Sequence, residues 1–227
     1  MTRFAWVPEP VRGYLRPYVT WYRLRRERKT ILGILSSLSR RWNERPDYRD
    51  YLVAQVTRSR RMQLHVAEKR VAYLVSKFLQ CDERARNDRS VLCVGCRNTH
   101  ELGVFRHVGF ENVVGIDLFS TNEAIVQMDM HKMTFPDKHF DVIFACHSLE
   151  HAYAPAVVLA EYARVVRDGG VCIIEVPIRF KISPPDLHDF GSLQGLQTAC
   201  ESFTSRVLFS EESEDGRRAR VIFIAGT

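Results

Sequence analysis

The stretch that decides the fold is Ser90–Asp117, S-V-L-C-V-G-C-R-N-T-H-E-L-G-V-F-R-H-V-G-F-E-N-V-V-G-I-D. It opens on a short apolar run, Val91–Val94, turns at Gly95 and enters an amphipathic segment, His100–Val108. A second apolar run, Val113–Ile116, ends on Asp117. Short apolar runs flanking a helical period predict strand, tight turn, helix and strand. In open parallel sheets ligands bind beyond the carboxyl ends of the strands. An acid about 20 residues past the first turn is placed to hold ribose hydroxyls. Asp117 has that place.

The alternation continues toward the C-terminus. Ile125–Met128, Phe140–Ala145 and Val171–Val176 predict strands, and Pro155–Arg167 predicts a helix with Val158, Leu159, Tyr162, Val165 and Val166 on one face. Gly169-Gly170 is expected to stop that helix and turn the chain. Such alternation means βαβ units and a parallel sheet covered by helices on both faces. The end of the chain differs. Ser192–Glu201 reads as helix, and the apolar runs Arg206–Ser210 and Arg220–Ala225, joined by the polar E-E-S-E-D-G-R-R-A, predict an antiparallel hairpin.

Toward the N-terminus, Asp47 to Leu79 reads as one long helical pattern. Leu64, Ala67, Val71, Leu74, Val75 and Phe78 form an apolar stripe, with Arg58, Arg60, Arg61, Lys69 and Arg70 on a wet face. Before it, Phe4, Trp6, Tyr14, Tyr18, Trp21 and Tyr22 interleave with arginines. This front is expected to be a helical cap whose aromatics pack on the domain, with contact to an anionic membrane surface or a phosphate-bearing substrate as the alternative. The expected division is a basic helical extension over 1–86 and an α/β domain over 87–227.

Composition narrows the function. The chain has 227 residues and a formal net charge of +6, but 11 Lys+Arg against 3 Asp+Glu lie before residue 46, and 13 against 19 after residue 86. The basicity belongs to the front, so it argues poorly for nucleic-acid binding by the α/β domain. No apolar run approaches the ~18 residues of a membrane span. Pro8, Glu9, Pro10 and Arg12 interrupt any secretory core. Six cysteines, mostly inside expected strands and helices, read as reduced thiols of a cytoplasmic protein.

Five features occur in fixed order: V-L-C-V-G-C-R-N-T, V-V-G-I-D, Q-M-D-M-H-K-M-T-F-P-D-K-H-F-D-V-I-F-A-C, H-S-L-E-H and A-R-V-V-R-D-G-G-V-C-I-I-E-V-P. With them the chain resembles the class I, Rossmann-like, S-adenosylmethionine-dependent methyltransferases, in particular a bacterial small-molecule and glycan group with an L-E-H turn after the fourth strand. The resemblance is close over residues 90–177 and loose over the C-terminal hairpin. It implies a seven-stranded, mostly parallel sheet with an antiparallel C-terminal hairpin, and S-adenosylmethionine as cofactor. It also implies that Gly95, Cys96 and Arg97 pass close to the methionine part, that Asp117 holds the ribose with Leu118 beside the adenine, and that Asp129 accepts the adenine amino group with the Met130 amide at a ring nitrogen. Cys146 and His147 would face the transferring methyl.

The turn departs from that pattern, which has an acid at the position of Cys93 and glycines at those of Arg97 and Thr99. Arginine suits a positive φ poorly, and Asn98 is expected to take the left-handed conformation instead. Arg97 is expected to pair with the carboxylate of the cofactor. His147, His151 and His188 are candidate bases, His147 foremost because it directly follows a strand, with His188 in a long loop behind it. Glu150-His151 is expected to cap the next helix. H-x-x-E-H at His147–His151 also spells an inverted zinc-peptidase signature. Its start at a strand end and the nearby Pro155 oppose the required helix, so no metal is expected, at the C-x-x-C of Cys93–Cys96 either.

The implied function is methyl transfer to a small-molecule, sugar or glycan-precursor acceptor. An RNA methyltransferase using the basic arm, or a binding module that has lost turnover, are the alternatives.

Overall fold

The computed structural model describes residues 46–182 and 186–226. The aromatic, basic front lies outside the described residues. Seven strands form one sheet in the order β3-β2-β1-β4-β5-β7-β6. Strands β1 (Ser90–Val94), β2 (Asn112–Asp117), β3 (Ile125–Gln127), β4 (Phe140–Cys146) and β5 (Val166–Pro177) are parallel neighbours. Strand β7 (Arg218–Ala225) pairs antiparallel with both β5 and β6 (Thr204–Glu212). The α/β class, the parallel order and the antiparallel hairpin are as the alternation predicts.

Side-chain alternation along the strands feeds two cores. On one face Cys93, Phe144 and Ile173 meet Val71, Leu74, Val75 and Phe78 of α2 (Glu68–Cys81) and Leu102 and Phe105 of α3 (His100–His107). On the other, Leu92, Ile143 and Ile174 meet Val158, Tyr162 and Val165 of α4 (Pro155–Val165) and Leu196 and Cys200 of α5 (Leu193–Cys200). The stripe expected in 67–78 is therefore the face that α2 buries.

The long N-terminal helix is two helices. α1 runs Pro46–Arg61, the chain turns over Met62–Leu64, and α2 begins at Glu68. Neither glycine nor proline marks the break. A tertiary clamp satisfies it: Asn98 Nδ2 donates to the carbonyls of Gln63 (3.0 Å) and His65 (2.9 Å). Leu64, expected in the buried stripe, falls in the break and is 95% exposed. α1 has a stripe of its own, with Tyr48, Tyr51, Leu52, Gln55 and Val56 buried at helical spacing. Three of these, Tyr48, Tyr51 and Leu52, cluster with Leu118, Tyr153 and Leu187, which lie past β2 and past β4 and β5. α1 thus crosses the carboxyl ends of the strands.

Gly169-Gly170 does not stop α4. That helix ends at Val165, and the glycines lie within β5, where the register to β4 jumps from Phe140↔Val166 to Val142↔Val171. Gly169 has φ 75°, and a Cβ on Gly170 would meet the Arg167 carbonyl at 2.8 Å. A bulge of this shape requires residues without side chains.

Candidate active site

Two adjoining cavities lie under α1 at the carboxyl ends of β1, β2 and β4. The first is lined by Tyr51, Gln55 and Ser59 of α1, by Ile116, Asp117, Leu118, Met128 and Met130, and by Ser148 and His151. The second is lined by Arg70 and Val71 of α2, by Cys96, Asn98, His100 and Glu101, and by Cys146. Arg58, Gly95, Arg97 and His147 line both. These four residues mark the join.

The join is built from unusual backbone. Gly95 has φ 73°, and a Cβ there would stand 2.5 Å from Ser148 Cβ, so glycine is required. The left-handed position expected of Asn98 belongs to Arg97, at φ 54°. Its amide donates to Asp117 Oδ2 at 3.0 Å, which holds the turn in that shape. Asn98 serves as the clamp on the α1–α2 break, its Oδ1 accepting from His100 N at 3.0 Å. His147 is the second left-handed residue at the join, at φ 52°. Its amide donates to the Glu175 carbonyl at 2.9 Å, so the backbone leaves β4 while still tied to β5.

Asp117 is buried, with each oxygen met. Oδ1 accepts from Phe119 N and Ser59 Oγ, both at 3.0 Å, and Oδ2 from Arg97 N. Burial raises its carboxyl pKa, against the lowering effect of these donors. Leu118 and Met130 line the first cavity beside it, whereas Asp129 lines neither. The Asp129 carboxylate is taken up by the Tyr48 hydroxyl and by His131, whose Nδ1 lies at 2.7 Å. Burial would raise the Asp129 pKa, but these partners hold it below the ordinary carboxylate range. As placed, Asp129 anchors α1 to the sheet.

Cys96 and Cys146 line the second cavity, and their thiols are pushed up by burial. Cys93 is fully buried in β1. His147 stands between two buried acids, Nε2 3.1 Å from Glu175 Oε1 and Nδ1 3.5 Å from Glu150 Oε1. Behind it Glu175 is 0% exposed. Burial would raise its pKa, and His147 and Arg220 lower it below its usual value. Arg70, expected on the wet face, turns in to place Nε 3.2 Å from the same carboxylate. Glu175 lies in the last of the five motifs without a role assigned to it and Arg70 in none, and both become visible only through this contact.

Glu150-His151 does not cap α4. The two lie in a 3-10 turn, Leu149–His151, and the amide of Ala154 at the start of α4 is met by His131 Nε2 at 3.2 Å. His151 Nδ1 approaches Asp186 Oδ1 at 3.0 Å, and Glu150, His151 and Asp186 together have the donor spacing of a metal site. Arg58 Nη2 lies 3.7 Å from Asp186, a charge that opposes a cation there. His188 lines neither cavity, and its amide donates to the Glu150 carbonyl at 3.1 Å.

Comparison with known proteins joins this geometry to a chemistry. Residues 92–174 match the model of a family described as a methyltransferase domain. This segment is similar to a methyltransferase domain. No curated protein matches the chain by sequence. Among solved structures, the N-methyltransferase NodS from Bradyrhizobium japonicum WM9, in complex with S-adenosyl-L-homocysteine, superposes with a TM-score of 0.56 at 11% identity over 77% of this chain and 100% of that one. A SAM-dependent methyltransferase from Aquifex aeolicus gives 0.51 at 17% identity over 67% and 89%. A putative methyltransferase from Haloferax volcanii, in complex with the Trm112 activator, gives 0.55 at 14% over 78% and 98%. At such identities the likeness is one of fold, here the Rossmann-like methyltransferase fold, and the cofactor it calls for is S-adenosylmethionine.

The residues present suit that cofactor. Buried Asp117 offers a carboxylate to hydroxyls such as a ribose carries, apolar Leu118 and Met130 line the cavity beside it, and Gly95 leaves backbone bare at the join. The opposite end offers arginines and a carboxylate to a zwitterionic group.

Proposed function

We propose that the protein methylates a hydroxyl of a polar small molecule, sugar or glycan precursor, with His147 as the base. When bound, S-adenosylmethionine supplies a methyl carbon made electrophilic by its sulfonium. In-line transfer then asks the protein chiefly for alignment, and for a proton acceptor when the nucleophile is a hydroxyl. The position of His147 at the join of the two cavities, with Glu175 behind it, carries this reading. A proton on Nε2 directed at Glu175 leaves Nδ1 to take the acceptor proton. The Glu150 carboxylate stabilises the resulting imidazolium.

Asp117 is proposed to hold the ribose, Leu118, Asp129 and Met130 to serve the adenine end, and Gly95, Cys96, Arg97 and Cys146 to line the methionine end. For Asp129 to reach an adenine, α1 must shift and release Tyr48. The first cavity encloses about 50 Å³ and the second about 180 Å³, against roughly 300–1,000 Å³ for small-molecule sites. α1 is the element that yields, so this helix works as a cover on the site.

An open groove of about 740 Å³ adjoins the second cavity through His65, Val66, Ala67 and Arg70, and is lined by acids and arginines of β6 and β7. Its mixed charge favours a polar acceptor over a polyanion. The front of the chain is proposed to bring the enzyme to membrane-borne acceptors, and five buried free thiols suit a reducing cytoplasm. Among the described residues no helix is long and apolar enough to cross a membrane.

Radiolabelled cofactor offered with sugar nucleotides, small hydroxylated metabolites and RNA tests the acceptor. His147→Gln should lower kcat on the accepted compound about 100-fold, with S-adenosylhomocysteine affinity unchanged. Labelling confined to RNA, or an active His147→Gln enzyme, would defeat the proposal.

A further inference from the structure

One acid under the glycine turn has no partner. Glu101 stands in the first turn of α3 and lines the second cavity with Arg70, Cys96, Arg97 and Asn98. Its Oε2 is buried and makes no hydrogen bond. Among the described residues no cation lies within ion-pair distance of it. A buried carboxylate oxygen left unmatched costs about 1–3 kcal/mol or more, so such a group calls for an explanation.

The surroundings supply one. Arg97 from the turn, Arg70 from α2, Asp117 from β2, Cys93 and Cys96 from β1 and its turn, and Cys146 from β4 all bear electrostatically on Glu101. His65, His100 and His147 line the same cavity. Cys93 occupies the place where the resemblance expects an acid, and a fully buried thiol cannot act as one. Glu101 brings a carboxylate to the same region from the neighbouring helix.

We infer that Glu101 receives the α-ammonium group of the cofactor's amino-acid portion, in place of an acid at Cys93, while Arg97 receives its carboxylate. This rests on the cofactor reading above. It assigns a binding residue that none of the five sequence motifs contains. It also carries a consequence in protons. Burial pushes the Glu101 carboxyl up to about 8, Asp117 adds to the rise, and Arg97 and Arg70 oppose it. Near pH 7 the empty site therefore holds a proton on Glu101. The arriving ammonium takes its place, and the proton leaves to solvent.

Calorimetric titration of the full-length protein at pH 7, in two buffers of different ionisation heat, tests this with two ligands. S-adenosylhomocysteine carries the amino-acid portion and 5′-methylthioadenosine lacks it. Wild type should release on the order of one proton with the first ligand and none with the second. Glu101→Gln should bind S-adenosylhomocysteine at least tenfold more weakly without proton release, yet bind 5′-methylthioadenosine within twofold of wild type. Unchanged S-adenosylhomocysteine affinity or proton release in Glu101→Gln overturns the inference. Loss of both ligands by the variant also overturns it, as the sign of a structural role. Wild type binding neither ligand overturns the cofactor reading itself.

Discussion

The two cavities under α1 are built on opposite principles. In the first, every carboxylate oxygen of Asp117 has a donor, and Asp129 outside it is likewise held by Tyr48 and His131. In the second, Glu101 Oε2 has none, and Arg97 and Arg70 act on it only from beyond ion-pair distance. The first cavity, the proposed nucleoside end, is a finished hydrogen-bond network that a ligand must displace, and Ser59 Oγ is the donor that would give way. The second, the proposed amino-acid end, is an unfinished one that a ligand would complete. Binding at one end costs rearrangement, while at the other it gives an unmatched buried oxygen its partner.

Substitutions on each side should separate the two. Asp117→Ala removes an acceptor for two ribose hydroxyls, and charged hydrogen bonds contribute about 1.5–3 kcal/mol each. Affinities for S-adenosylhomocysteine and for 5′-methylthioadenosine should both fall about 100-fold by calorimetry, and a loss under threefold would break the comparison. Arg97→Ala keeps the amide that meets Asp117 and removes only the guanidinium. It should weaken S-adenosylhomocysteine at least tenfold and leave 5′-methylthioadenosine unchanged.

The smallest effect is on stability. The folded Glu101 carboxyl titrates near 8, above its ordinary value, so it favours the folded state fully at acidic pH and loses that contribution as pH rises from the ordinary glutamate range to about 8. Glutamine does not titrate. Between pH 5 and pH 8 the melting temperature of Glu101→Gln should therefore gain on wild type by about 2–4 °C for each kcal/mol that wild type loses. A gap that stays constant with pH would show that Glu101 is not protonated in the empty site.

Much of the fold could be read without coordinates because it follows from local pattern. Val91–Val94, Val113–Ile116 and Phe140–Ala145 are apolar because both faces of a parallel sheet are covered, and the observed strands differ from those bounds by one residue or so. Asp117 was legible for a related reason: a strand end after a glycine turn is a fixed place in this topology. The break between α1 and α2 was not legible, since its partner, Asn98, is 33 residues beyond His65. Gly169-Gly170 misled because a glycine pair reads alike in a helix stop and in a strand bulge. Asp129 fitted a motif, yet Tyr48, 81 residues earlier, takes up its carboxylate.

By itself the sequence determined the order of strands and helices, the switch to an antiparallel end, and the chemistry expected beyond β1 and β2. Those properties are carried by periodicity and by residue types at short spacing. Only the tertiary structure decided that Arg97 rather than Asn98 takes the left-handed turn, that Glu175 stands behind His147, and that Glu101 faces the region of Cys93. Each depends on elements distant along the chain meeting at one sheet edge, where burial and neighbouring charge give an ordinary side chain its role.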